Sequence, residues 1–175
     1  MQYLGYYDSP LGRITMASDG EAVCGVWFDG QKYYPDLTGY TEADCPALLA
    51  CRRWLGLYFA GREPDFLPPL QPHGSEFRQA VWAELLKIPY GETTTYGAIA
   101  QTLAWQRGLA SMSAQAVGGA VGHNPISILI PCHRVVGAGG SLTGYAGGVA
   151  RKLALLELEK ADLSGCVVPT KGTAL

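Results

Sequence analysis

Hydrophobic and polar positions follow two different periods along this chain, strand-like at the start and helix-like afterwards. Residues 13–17 alternate and residues 22–28 form an apolar run, with Asp19-Gly20 between them as a hairpin signal. The turn residues Asp8-Ser9-Pro10-Leu11-Gly12 and Asp29-Gly30 bound the pair, so the amino-terminal stretch reads as β. From 47 to 59 the apolar residues Leu48, Cys51, Leu55 and Tyr58 recur at helical spacing and stop before Gly61. Residues 63–74 hold four prolines and read as an extended linker, which sets a domain boundary there.

Beyond that break the pattern is mostly helical. Phe77, Val81, Trp82 and Leu85 line one face of a helix that ends before Ile88-Pro89-Tyr90-Gly91. Thr93, Thr94 and Thr95 are N-cap candidates for a short helix over 96–103, and Ser113 for a third over 114–121, slim because it is rich in Ala and Gly. Two short helices joined by a turn suit a helix-turn-helix that enters a DNA groove, although such pairs are also common in proteins that bind no DNA. Ile126-Ser127-Ile128-Leu129-Ile130 is a short buried run ended by Pro131, and residues 137–140 make a turn with the flavour of a hairpin or wing. The last helix runs from after Gly147-Gly148 to about Lys160, with Val149, Leu153 and Leu156 in one stripe; the tail beyond Leu163 is expected to be loose. The fold class expected is α+β. A small amino-terminal antiparallel sheet with a helix (1–74) precedes a mostly helical domain with a winged helix-turn-helix (75–175).

Composition narrows the class. With 48% apolar and 16% charged residues over 175 positions, the chain has material for a core and is not disordered. No apolar run approaches the ~18 residues of a membrane span, and the start lacks the basic-then-apolar pattern of a signal peptide. Five cysteines without a Cys-x-x-Cys pair indicate free thiols in a reducing, cytoplasmic compartment. Cys24, Cys45, Cys51 and His73 are too irregular in spacing for a zinc site, so no metal is expected. Residues 1–75 carry five Lys/Arg against nine Asp/Glu, a net of −4, and residues 76–175 carry eight against six, a net of +2. Within 88–156 the basic residues Arg107, Arg134, Arg151 and Lys152 face the single acid Glu92, a hint that this half meets an anion.

The densest chemistry is Pro131-Cys132-His133-Arg134. A Cys beside a His can be a thiolate nucleophile if something holds the imidazole as base; a buried Cys next to a surface His is the alternative reading of the same pair.

Those residues belong to a longer series: Asn124-Pro125, Ile130-Pro131-Cys132-His133-Arg134-Val135-Val136-Gly137, Thr143-Gly144-Tyr145-Ala146-Gly147-Gly148 and Arg151-Lys152. Upstream lie Ile88-Pro89-Tyr90-Gly91-Glu92-Thr93, Tyr96-Gly97 and Ala116-Val117-Gly118. Over about 75–162 the chain resembles the O6-alkylguanine-DNA alkyltransferases (methylated-DNA–protein-cysteine methyltransferases) of the bacterial stand-alone type. The amino-terminal segment matches more loosely, through Asp8-Ser9-Pro10-Leu11-Gly12, and the resemblance implies a ribonuclease-H-like fold there. It implies direct-reversal repair: one alkyl group moves irreversibly from O6-alkylguanine, with O4-alkylthymine a further candidate, in duplex DNA to Cys132 after base flipping.

On that resemblance Cys132 is the nucleophile, His133 the base acting through a water, and Glu159 the carboxylate orienting the imidazole. The helical wheel independently favours Glu159 over Glu157, since it falls between Leu155 and Leu156 on the core side. Tyr96 matches the proton donor to the guanine ring. Tyr145, with the backbone of Ala146 and Gly147, matches the loop holding the flipped base; Ala146 stands where relatives often have Ser, so a hydroxyl contact is lost and an amide donor kept. Asn124 matches a hinge residue, Arg134 braces the site, and Thr95, Gln115, Ala116 and His123 fall among the DNA contacts. Gln115 occupies the place of the usual Arg that fills the gap left by the flipped nucleotide. Residues 105–112 look like an insertion between the two helices, with Trp105 readable as core or as an exposed aromatic on the DNA backbone. The implied partner is double-stranded DNA carrying alkylated bases, bound by a monomer without cofactor, metal or membrane. A non-catalytic lesion-binding relative and a Cys-His-Glu hydrolase are the alternatives.

Overall fold

The structure, a computed structural model, describes residues 1–169. Turn chemistry sets its first part. Gly20, at φ 104°, lets the chain reverse between β2 (Gly12–Ser18) and β3 (Val23–Phe28), and β2 pairs on its other side with β1 (Tyr3–Ser9). The three strands are antiparallel. A two-residue strand, β4 (Thr41–Glu42), adds to β1 in parallel, giving the order β3-β2-β1-β4. The parallel edge strand departs from the purely antiparallel expectation, because the loop before it brings the chain back alongside β1 rather than reversing tightly.

Helix α1 (Pro46–Phe59) starts with a proline where the missing N–H is harmless, and buries Leu48, Cys51, Leu55 and Tyr58. It packs on β1, β2 and β3, where Ile14, Met16 and Phe28 are fully buried.

Chain contacts divide the molecule into Met1–His73 with Pro125–Leu129, and Gly74–Asn124 with the residues from Ile130 onward. The first unit therefore includes a segment from far along the sequence. Val26 N–H donates to the Pro125 carbonyl (2.9 Å), and Ser127 N–H donates to Val26 (2.9 Å). Ile128 sits within this segment at φ 72°, a left-handed conformation that costs a β-branched residue about 1–3 kcal/mol. The proline-rich stretch is not a bare linker either: Val23 N–H donates to Pro69 and Gln71 N–H donates to Val23, both at 2.8 Å.

In the second unit three successive hydroxyl caps start three helices. Ser75 accepts from Arg78 N–H at α2 (Glu76–Leu85), Thr95 from Ala98 N–H at α3 (Tyr96–Gln106), and Ser113 from Ala116 N–H at α4 (Ala114–Gly122). Val81, Trp82, Leu85, Ile99, Leu103, Val117 and Val121 are buried. The Trp82 indole N–H reaches the Ala120 carbonyl at 2.8 Å, tying α2 to α4. α3 continues past its expected end at 103, since Ala104 still faces the core.

The turn expected at 137–140 is closed by Gly137 N–H on the Ser141 carbonyl at 2.8 Å. β5 (Thr94–Thr95) and β6 (Val135–Val136) pair in parallel, and 137–140 tightens into a 3-10 turn, Ala138–Gly140, with Gly139 and Gly140 at positive φ. The tail beyond Leu163 is not loose as far as it is described. Val167 N–H donates to Gly140 and Leu142 N–H to Val167, both at 2.9 Å, while Leu163 and Cys166 pack against Val136, Leu142 and Leu156. Residues 170–175 lie outside the described part. The last helix, α5, is Val149–Leu158, and its Val149, Leu153 and Leu156 stripe joins that same cluster.

Candidate active site

Cys132 begins a single 3-10 turn, Cys132–Arg134, set up by Pro131, and all three of its side chains are buried. Such burial of a His and an Arg is costly unless both find partners. They share one. Glu159, the C-cap of α5, places Oε2 2.5 Å from His133 Nε2, and Arg134 donates through Nε to Oε1 (2.8 Å) and through Nη2 to Oε2 (3.2 Å). Gly91 N–H donates to the same carboxylate at 3.1 Å, and Arg134 Nη1 donates to the Ile88 carbonyl at 2.7 Å. The Ile88-Pro89-Tyr90-Gly91 motif thus supplies backbone partners to the carboxylate and to the guanidinium. A positive φ of 80° at Gly91 lets its N–H turn toward Glu159.

Burial alone would raise the Glu159 pKa, but the hydrogen bond and charge of His133 and those of Arg134 hold it down at about 2. Burial pushes the His133 pKa down, against the pull of Glu159. Glu159 occupies Nε2, so any proton exchange with a neighbouring thiol falls to Nδ1.

Burial pushes the Cys132 thiol up; a hydrogen bond from the Asn124 side chain, the charge of Lys152 and backbone hydrogen bonds of Cys132 and His133 work the other way. Asn124 is itself buried and donates from Nδ2 to the Ile130 carbonyl at 2.8 Å. Lys152 is fully buried; its ammonium donates to the Val135 carbonyl at 2.5 Å and to the Thr143 carbonyl at 2.8 Å. Burial lowers its pKa to about 8, so it remains charged at neutral pH. Sequence reasoning assigned no role to Lys152. The signal was present, because Lys152, Leu155, Leu156 and Glu159 stand at i, i+3, i+4 and i+7 on one face of α5.

Tyr96, at the start of α3, donates from its hydroxyl to the same Thr143 carbonyl at 2.9 Å, and the Lys152 ammonium lies 6.0 Å from its ring centroid. Burial raises the Tyr96 pKa, which keeps the phenol protonated. Gly144, at φ 81°, packs so closely that a Cβ there would come 2.7 Å from the Tyr96 hydroxyl. Tyr145 is buried with its ring edge-on to His133, 6.4 Å between centroids, and Ala146 and Gly147 are partly exposed beside it.

Cys132, His133, Arg134, Asn124, Tyr96, Tyr145 and Glu159 are thus drawn toward one centre. Thr95 is spent on capping α3. Gln115 and Ala116 are exposed on the first turn of α4, and the His123 Nδ1 folds back to the Gly119 carbonyl at 2.7 Å. Arg134, expected to brace the site, points inward onto Glu159 and Ile88. One expectation needs correction. With Lys152 also buried, two of the four cations in 88–156 are internal, so the surface there is less basic than the count implied. Among the described residues no group of three His, Cys, Asp or Glu could hold a metal ion, and no helix is long and apolar enough to cross a membrane.

Comparisons with known proteins add to this geometry. The family "6-O-methylguanine DNA methyltransferase, DNA binding domain" matches residues 76–161, and "6-O-methylguanine DNA methyltransferase, ribonuclease-like domain" matches residues 2–72. A methylated-DNA–protein-cysteine methyltransferase of Mycobacterium tuberculosis is 48% identical over 153 residues, 87% of this chain and 89% of the relative. One from Haemophilus influenzae is 42% identical over 159 residues, 90% and 86% of the two chains. Among solved structures, the M. tuberculosis OGT in complex with DNA superposes with a TM-score of 0.80 at 44% identity, covering 90% of this chain and 92% of that one.

Proposed function

Because this chain belongs to the 6-O-methylguanine DNA methyltransferase family, and so repairs DNA by direct reversal through alkyl transfer, we propose that Cys132 is its alkyl acceptor. The observation that carries the assignment is the buried His133–Glu159–Arg134 network directly behind that thiol. The proposed substrate is duplex DNA carrying an O6-alkylguanine, turned out of the stack into the pocket beside Tyr145.

Each buried group has a part in the displacement. The thiol proton passes to His133 Nδ1 through a water, and the imidazolium that results is stabilised by Glu159. The Lys152 ammonium lowers the cost of the thiolate in a site where burial raises it. Sulfur then forms a bond to the alkyl carbon as the carbon–O6 bond breaks, and that bonding pair leaves with the base. Tyr96 donates its proton to the departing guanine, and the proton that His133 took from the thiol returns through water to reprotonate Tyr96. Tyr96 must leave the Thr143 carbonyl to do so, and Lys152 keeps that carbonyl satisfied when it goes. The product thioether has no leaving group that would regenerate the thiol, so each molecule acts once. Arg134 positions Glu159 and touches no substrate. Membership in the family sets the hydrolase reading aside.

The test is a titration of the protein against excess labelled O6-methylguanine duplex, read by intact-protein mass. One methyl per chain, located on Cys132, is expected, with no transfer to Cys132→Ala despite retained DNA binding. Transfer beyond one equivalent, or a methyl on another cysteine, contradicts the assignment.

A further inference from the structure

Seven consecutive residues, 105–111, are exposed in the connection from α3 to α4, and two of them are large and apolar. Trp105, on the last turn of α3, is 82% exposed and Leu109 is 51% exposed. Beside them is a cleft of about 330 Å³ lined by Gln101, Trp105, Leu109, Ser111 and Met112. The other three tryptophans, Trp27, Trp54 and Trp82, are all buried, so burial was available to an indole in this chain and Trp105 does without it. The sequence left Trp105 undecided between core and surface, and the active site uses none of these residues.

Charge and continuity point to a polyanionic occupant. No Asp or Glu occurs between Glu92 and Glu157, so this stretch of the chain supplies no repulsion to a polyanion. Arg107 adds an exposed cation to the turn, its guanidinium 5.6 Å from the Phe77 ring centroid. The nearby acid Glu84 is neutralised by Lys87 at 2.7 Å and also accepts from Gln106 at 3.1 Å. The cleft ends at Met112, two residues before α4, inside the segment matched as a DNA-binding domain. A flat aromatic beside a cation is the pair that holds a nucleotide, the ring on its sugar or base face and the guanidinium on its phosphate.

We propose that the α3–α4 turn is a second DNA contact, in which the Trp105 indole packs on a nucleotide flanking the repaired site and Arg107 meets a phosphate. This rests on the alkyltransferase reading and adds a contact outside the alkyl-transfer pocket. The contact holds duplex, so it is absent when the substrate is a free base.

Because the other tryptophans are buried, acrylamide quenching of the intrinsic emission reports Trp105. The Cys132→Ala chain, which binds without transferring, is titrated with a short duplex carrying one O6-methylguanine. Expected is loss of the quenchable fraction at saturation. Placed on the wild-type chain, Trp105→Ala should weaken duplex binding about tenfold, the order of one aromatic–nucleotide contact. Trp105→Tyr should restore most of that loss, and transfer from free O6-benzylguanine should be unchanged in both. Emission that stays quenchable on saturating duplex, or Trp105→Ala binding like wild type while transfer proceeds, overturns the contact and leaves the repair reading intact. Protection that appears with protein concentration alone makes the patch a contact between copies and also overturns it. If no form binds the duplex, the repair reading fails and the contact with it.

Discussion

Around α1 and its sheet the first unit buries Ile14, Met16, Phe28, Leu48, Leu55 and Tyr58, and its buried polar side chains are Thr15, Ser18, Gln31 and Ser127, none of them charged. The second unit buries Asn124, His133, Arg134, Lys152 and Glu159. Buried charge is expensive even when paired, and replacing such a pair with apolar side chains often leaves a protein as stable or more so. The contrast therefore separates two kinds of core, one built by packing and one that carries charges, which the proposed mechanism accounts for by the ionisation of the thiol beside them.

Paired substitutions break that contrast if it is wrong. Leu55→Ala should cost about 2–5 kcal/mol of stability by opening a cavity, and leave the transfer rate of the folded protein unchanged. Glu159→Gln should slow transfer roughly a hundredfold or more. It should also cost about 3–5 kcal/mol, because Arg134 is left buried without its counter-charge. Glu157→Gln, exposed on the same helix, should do neither. The acid limb follows from the sign of the shift. Glu159 titrates at about 2 in the folded protein against an ordinary 4.5, so its contribution is complete above about 4.5 and is lost as pH falls toward 2. Denaturant melts across that range should show the loss in wild type and not in Glu159→Gln. Equal rates for the Glu157 and Glu159 variants would mean the wrong carboxylate has been assigned.

The comparison also marks what was legible in the sequence. Apolar cores announce themselves by period, so α1, α2 and the stripe of α5 were readable, as were the caps Thr95 and Ser113. The resemblance names Glu159, and the helical wheel favours it because a carboxylate on an apolar face demands a partner. Lys152 stands on the same face and was passed over, since a lysine is ordinarily read as solvated. Pairings between distant segments leave no local trace. Pro125–Leu129 joining β3, β6 pairing with β5, and Val167 docking on Gly140 all depend on long-range backbone bonds. The turn at 137–140 likewise takes its position from Val167, a partner that no local pattern announces.

Smaller effects sharpen the division of labour inside the second unit. Tyr96→Phe should lower the transfer rate about tenfold or more with duplex affinity nearly unchanged, because its proton is needed only as the base departs. Equal losses in affinity and rate would make Tyr96 a positioning contact. Gln115→Arg should speed transfer on duplex DNA roughly two- to fivefold, since Arg brings reach and charge to the gap that flipping opens. It should do little to transfer from free O6-benzylguanine. An unchanged duplex rate would mean that another residue already fills the gap.

The claim that buried charge in the second unit exists to ionise Cys132 is tested most directly on Lys152. The rate of transfer from free O6-benzylguanine is measured across pH by intact-protein mass, for wild type and Lys152→Met. Removing a cation beside a thiolate should shift the rising limb upward by about one pH unit or more and slow transfer at neutral pH. An unshifted limb with wild-type rates at neutral pH would contradict the account.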